Sequence, residues 1–170
     1  ELYAKGKGVP QNYKEATKWY RLASHQGDIK SQYILGEMYD FGRGVKQDYQ
    51  EAIEWYLLAV KQNDASAQSS LGLMYQYGHG VKQNYDEALR LFHLSALQKD
   101  SYGQSNLGYL YRKGIGVEQN HKEAIKWYRL SAEQKNPTGQ YNLGEMYAMG
   151  QGVEKDYQAA IKLYTLSADQ

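Results

Sequence analysis

The side chains best suited to chemistry here are four histidines, His25, His79, His93 and His121, a series of regularly placed glutamates, and many serines. Histidine carries protons near neutral pH and is a frequent zinc ligand. A zinc hydrolase would place two histidines four residues apart on a helix, with a glutamate beside the first. None of the four stands at that spacing from another, and none lies in a His-Glu-Xaa-Xaa-His run. No serine occupies a Gly-Xaa-Ser-Xaa-Gly elbow, so no exposed nucleophile is announced. The glutamates recur at a fixed interval beside residues that start helices, which gives each a structural task. Gly-Xaa-Gly occurs five times, and such a pair can let backbone N–H groups cradle a phosphate. That use requires a strand before the loop and a helix directly after it. Here a helical pattern precedes each pair and several residues follow before the next helix start, so the glycines read as turns. With no cysteine, thiolate metal sites and disulfides are excluded. No catalytic residue, metal or cofactor is expected.

Composition narrows the partners. Twenty basic and 19 acidic side chains leave a net charge of +1. Nucleic acid and anionic membrane, which select strongly basic surfaces, are therefore not expected as ligands. No apolar run approaches the roughly 18 residues that a membrane span needs. Eighteen tyrosines against two phenylalanines mean a core whose rings carry hydroxyls that must reach a partner or water. Thin, elongated architectures offer such exits.

A repeat places these residues. Gly6/Gly8, Gly42/Gly44, Gly78/Gly80, Gly114/Gly116 and Gly150/Gly152 recur every 36 residues without insertion, each pair followed by valine. Upstream stand Leu35-Gly36, Leu71-Gly72, Leu107-Gly108 and Leu143-Gly144, and three residues after each glycine comes Tyr39, Tyr75, Tyr111 or Tyr147. The run from Ser31 through Leu35 to Met38 and Tyr39 has the i, i+4, i+7, i+8 spacing of an amphipathic helix, predicted over about 30–41 and its equivalents. Glycine then ends it by accepting the left-handed C-cap conformation. A second helix starts at Asn12, Asp48, Asn84 and Asn120, each followed three residues on by Glu15, Glu51, Glu87 or Glu123 in capping-box spacing. The fifth copy has Asp156 but Ala159, half a box. Ala16, Ala52, Ala88, Ala124 and Ala160 each precede an aromatic by four residues (Tyr20, Tyr56, Phe92, Tyr128, Tyr164), placing a small residue and a ring on one face. No period-2 alternation suggests a strand.

One such helix pair cannot bury its apolar face alone, whereas stacked copies share a continuous core. The expected fold is all-α, a solenoid of helix–turn–helix repeats at 1–28 (partial), 29–64, 65–100, 101–136 and 137–170, forming a single domain. Glu1-Leu2-Tyr3 reads as the tail of a helix, and the last helix keeps Ile161, Leu163 and Tyr164 like an internal copy. The chain is thus expected to be a piece of a longer protein, or to have its end covered by another chain in an oligomer.

Leu-Gly-Xaa-Xaa-Tyr, Gly-Xaa-Gly-Val, Asp/Asn-Tyr-Xaa-Glu-Ala and Trp-Tyr, in register over the whole chain, resemble the Sel-one-like repeat family. That family is a branch of the tetratricopeptide-like solenoids. The resemblance implies a right-handed α/α superhelix whose first helices line a concave surface. It also implies adaptor work on protein or peptide partners, in bacterial signalling, envelope assembly or host interaction, or in organelle quality control. The periplasm or cytoplasm of a bacterium is the implied setting. Leu91 and Leu163 depart from the Trp position that Trp19, Trp55 and Trp127 match, and the cysteine staples of some members are missing.

Function is expected where the copies differ. Gln32, Gln68, Gln104 and Gln140 are invariant and read as hydrogen-bonding groups between repeats. Positions 33, 37, 40 and 41 of the first helices vary, and lie opposite the buried stripe. They carry Tyr33, Glu37 and Phe41, then Leu73 and Tyr77, then Tyr109 and Arg112, then Tyr141 and Met149. Exposed aromatics beside an arginine are the composition of interface hot spots, so these nine residues are the expected partner-binding set. The alternative is that several rings pack on the next repeat, position 41 and its equivalents foremost because they lie near the helix end. The resulting reading is a protein- or peptide-binding scaffold, in a narrower form an immunity protein that blocks a toxin. The alternatives are a hydrolase acting on peptidoglycan or β-lactams, which no residue supports, and a structural spacer within a longer chain.

Overall fold

The computed structural model describes residues 1–169, and among them every regular element is an α-helix. In chain order these are α1 (Leu2–Lys5), α2 (Tyr13–His25), α3 (Ile29–Phe41), α4 (Tyr49–Lys61), α5 (Ala65–Tyr77), α6 (Tyr85–Leu97), α7 (Ser101–Lys113), α8 (His121–Glu133), α9 (Pro137–Met149) and α10 (Tyr157–Ala168). The first helix of each repeat begins one residue before the predicted start and ends where predicted.

Helix starts follow from side-chain caps. Asn12, Asp48, Asn84, Asn120 and Asp156 each accept a hydrogen bond from the backbone N–H three residues on, so the fifth cap forms even without its glutamate. The reciprocal half of the predicted capping box is replaced by another bond. The backbone N–H groups of Asn12, Asp48, Asn120 and Asp156 donate to the carbonyls of Tyr3, Tyr39, Tyr111 and Tyr147. With that donor already satisfied, Glu15 and Glu123 turn instead to Lys18 and Lys126 one turn along, and Glu87 likewise pairs with Arg90. Sequence reasoning also missed a second series of caps, Asp28, Asp64, Asp100 and Asn136, which start the first helices in the same way. Each follows a residue in the left-handed region: Gly27, Asn63, Lys99 and Lys135. The lone glycine at 27 and the 36-residue recurrence of Asp/Asn were the available signal.

The described residues fall into two compact units, Glu1–Gln83 and those from Asn84 onward. In the first, α3 packs between α2 and α4, and α4 also packs on α5; in the second, the chain-order neighbours from α6 to α10 pack pairwise and α7 also meets α9. The expected stripes form the core. Leu35, Ala52 and Tyr56 are fully enclosed in the first unit, as are Ala124, Tyr128 and Met146 in the second. Helix approach depends on a missing side chain at Gly36, because a Cβ there would lie 2.5 Å from Tyr56 Cδ1. The second loop glycine has a comparable role, since a Cβ at Gly44 would lie 2.5 Å from the carbonyl carbon of Tyr13, and Gly44 also has φ of +77°. The paired glycines therefore both cap a helix and seat it on the preceding repeat.

Candidate interaction surface

In the first unit the variable face of α3 and α5 is graded. Phe41 and Tyr77 are each 58% exposed, whereas Tyr33, Glu37 and Leu73 are half-buried. The reason is position along the helix. Residues 41 and 77 immediately precede the C-cap glycines Gly42 and Gly78, beyond the reach of the packed stripe. The alternative, that this position packs first against the next repeat, does not hold for Phe41 and Tyr77, which are the most open of the four in this unit. Arg43 lies over the Phe41 ring at 5.1 Å, and His79 stacks between Tyr49 (4.9 Å) and Tyr77 (5.7 Å).

Behind these rings sit two carboxylates. Tyr56 Oη donates to Asp40 Oδ2 at 3.3 Å, and Tyr33 hydrogen-bonds Glu37. Burial raises both carboxyl pKa values. The Tyr33 bond and the more distant Arg43 oppose the rise at Glu37, and the Tyr56 bond and His79 oppose it at Asp40. The Tyr56 hydroxyl is pushed well above its ordinary range, first by burial and then by these carboxylates. The Tyr33 and Tyr56 rings lie 6.1 Å apart.

In the second unit Tyr141 and Met149 are half exposed, at 49% and 52%, and Tyr141 leans on Tyr164 at 5.4 Å. Tyr109 is half-buried against the cluster of Ile125, Tyr128, Leu143 and Met146. Arg112, expected beside the exposed rings, is instead only 8% exposed. Its Nη1 lies 2.6 Å from Glu145 Oε2, and its Nη2 lies 4.0 Å from Met149 Sδ. Burial works against the guanidinium's charge, but the hydrogen bond and charge of Glu145 outweigh it and the net shift is upward. The partner of Arg112 comes from the following repeat, 33 residues away.

The invariant glutamines link elements as expected. Gln32 donates to the carbonyl of Ser24 in the preceding repeat and accepts from Gln62 at 2.8 Å; Gln104 donates to Ala96 and accepts from Gln134 at 2.8 Å. The histidines are dispersed: His25 edges onto Trp55, His93 onto Trp127, and His121 packs beneath Gly152. Among the described residues no group of three His, Asp or Glu side chains is placed to hold a metal ion, and no helix is long and apolar enough to cross a membrane.

A family profile described as Sel1 repeat matches residues 1–28, 29–64, 65–100, 101–136 and 137–170. Comparison with curated proteins finds no match. Among solved structures, a Sel1 repeat protein from Oxalobacter formigenes is similar at 34% identity and a TM-score of 0.88, over 99% of this chain and 67% of that one. A protective antigen present in uropathogenic Escherichia coli strains, displaying an SLR fold, is similar at 40% identity and a TM-score of 0.83, over 99% of this chain and 36% of its own. The chain therefore spans about two-thirds of the first and about a third of the second. An immunity protein from Pseudomonas aeruginosa shares the fold at 17% identity and a TM-score of 0.56.

Proposed function

This chain belongs to the Sel1 repeat family of α-helical solenoid proteins, known as protein-interaction scaffolds, and we propose that it binds an extended protein segment on the variable face of its first helices. The observation that carries this reading is the open last position of those helices. Phe41, Tyr77 and Met149 expose more than half of their surface there, while Leu35, Leu71 and Leu143 on the same helices are buried. Large exposed apolar side chains at one repeat position are poor solvated residues and good anchors for a partner. In the first unit Tyr33, Glu37 and Leu73 supply a half-buried floor; in the second Tyr109 does so, Tyr141 is half exposed, and Arg112 supports the face from within rather than touching the partner.

The identities at the open position differ, Phe41 and Tyr77 in the first unit and Lys113 and Met149 in the second, so each repeat offers a different contact to a segment bound on its own unit. Amide hydrogen exchange with and without a peptide selected from a displayed random library tests the placement. Protection is expected at the C-terminal turns of α3, α5 or α9, and protection confined to the second helices of the repeats would contradict it.

A further inference from the structure

Glu37 and Asp40 are carboxylates on the first unit's face, and neither is in ion-pair contact with a cation of the chain. Among the described residues neither has a basic group within the 4.0 Å of an ion pair. Their direct partners are hydroxyls, Tyr33 for Glu37 and Tyr56 for Asp40. The neighbouring basic side chains lie beyond ion-pair distance: Arg43 is exposed over Phe41 and acts on Glu37 only through its charge, and His79 is stacked on two tyrosines.

The second unit supplies an independent observation of what this position does when a cation is present. Glu145 is the counterpart of Glu37 three repeats on, and it holds Arg112 at 2.6 Å. The counterpart of Arg112 three repeats earlier is Ala4. Glu37 thus has the carboxylate of the buried pair without the guanidinium, and Asp40 adds a second carboxylate one turn along α3, where the copy carrying Glu145 has Ala148.

Resting on the reading of this face as an interaction surface, we propose that the first unit takes an arginine side chain from its partner, the guanidinium engaging Glu37 and Asp40 as Arg112 engages Glu145, with apolar neighbours of that arginine lying on Phe41 and Tyr77. Arginine suits the site better than lysine. Its planar fork can meet a carboxylate with two N–H groups, and it stacks on aromatic faces such as Tyr33. A half-buried carboxylate gains more from a partner than one in open water, because its charge is less well solvated.

Three acetylated pentapeptide amides, Ala-Leu-Xaa-Leu-Ala with arginine, citrulline or glutamate at the centre, serve as probes in nitrogen-15 NMR titrations of the full chain. Citrulline keeps the shape of arginine and removes its charge. The arginine peptide is expected to shift α3 and α5 amides and to bind about tenfold more tightly than the citrulline peptide, with the glutamate peptide weakest. In the isosteric Glu37→Gln/Asp40→Asn variant the arginine and citrulline peptides should bind alike. Equal binding of both to the wild type, with loss of both in Tyr77→Ala, would overturn the arginine site while leaving the first-helix surface intact. Shifts lying away from α3 and α5 would overturn both, and the lack of any arginine-dependent shift at millimolar peptide would overturn the arginine site.

Discussion

Arg112 Nη1 and Glu145 Oε2 meet at 2.6 Å, joining the first helices of two successive repeats through a nearly buried ion pair. Removing one member of such a pair strands the other, whereas replacing both by apolar groups of similar size does not. Arg112→Ala is expected to cost about 2–4 kcal/mol in urea unfolding. The double variant Arg112→Met/Glu145→Leu should recover most of that loss, since leucine already occupies the equivalent position at Leu73. A double variant as unstable as the single one would show that the charges themselves are required.

Two glycines of different surroundings separate packing from backbone strain. Gly36→Ala should destabilise by roughly 2 kcal/mol or more, because its Cβ meets the enclosed Tyr56 ring. At Gly8 a Cβ meets nothing within 4 Å, and only the positive φ of +74° opposes it. Gly8→Ala should therefore cost about 1 kcal/mol. Chemical denaturation of the two variants checks the order, and equal losses would contradict the tight helix contact.

Lys99 and Lys135 hold left-handed backbone, φ of +66° and +62°, where the first copy has Gly27. Lys99→Gly and Lys135→Gly should each stabilise by about 0.5–1 kcal/mol, the relief of strain exceeding the added freedom of the unfolded chain. The urea midpoint should rise with an unchanged slope. A fall would mean that the lysine side chains make contributions larger than the strain.

Burial raises the carboxyl pKa values of Glu37 and Asp40 despite their tyrosine partners and the nearby Arg43 and His79. In the window between the unfolded carboxylate range, about 4, and the raised folded values, the native state binds more protons than the unfolded one. Stability contributed by these groups is therefore present at low pH and falls as pH rises through that window. Glu37→Gln and Asp40→Asn should be more stable than the parent at neutral pH, with the advantage shrinking as pH falls towards 4. Thermal unfolding across that range checks the sign, and variants less stable than the parent at neutral pH would contradict it.

The repeat, the helix spans and the buried stripe were legible because each rests on local spacing: Leu35, Met38 and Tyr39 share a helix face whatever lies next to them. The second-helix caps were legible for the same reason. What escaped the sequence depends on neighbours 30 or more residues away. Arg112 looked like an exposed hot-spot residue because Glu145 lies on the following repeat. Whether position 41 packs or stays open was left undecided between two readings by the sequence, and its place just before the glycine C-cap carries Phe41 and Tyr77 past the core. The meaning of the carboxylates at Glu37 and Asp40 likewise depends on a distant neighbour, since Glu145, the counterpart of Glu37, has an arginine from the preceding repeat and Glu37 has Ala4.

The central claim, that the open ends of the first helices capture the partner, is tested most directly by the affinity of one library-selected peptide for the wild type and for Phe41→Ser/Tyr77→Ala. Both rings are more than half exposed, so the variant should keep the parental unfolding midpoint while binding about tenfold more weakly or worse. Parental affinity in a folded variant would contradict the claim.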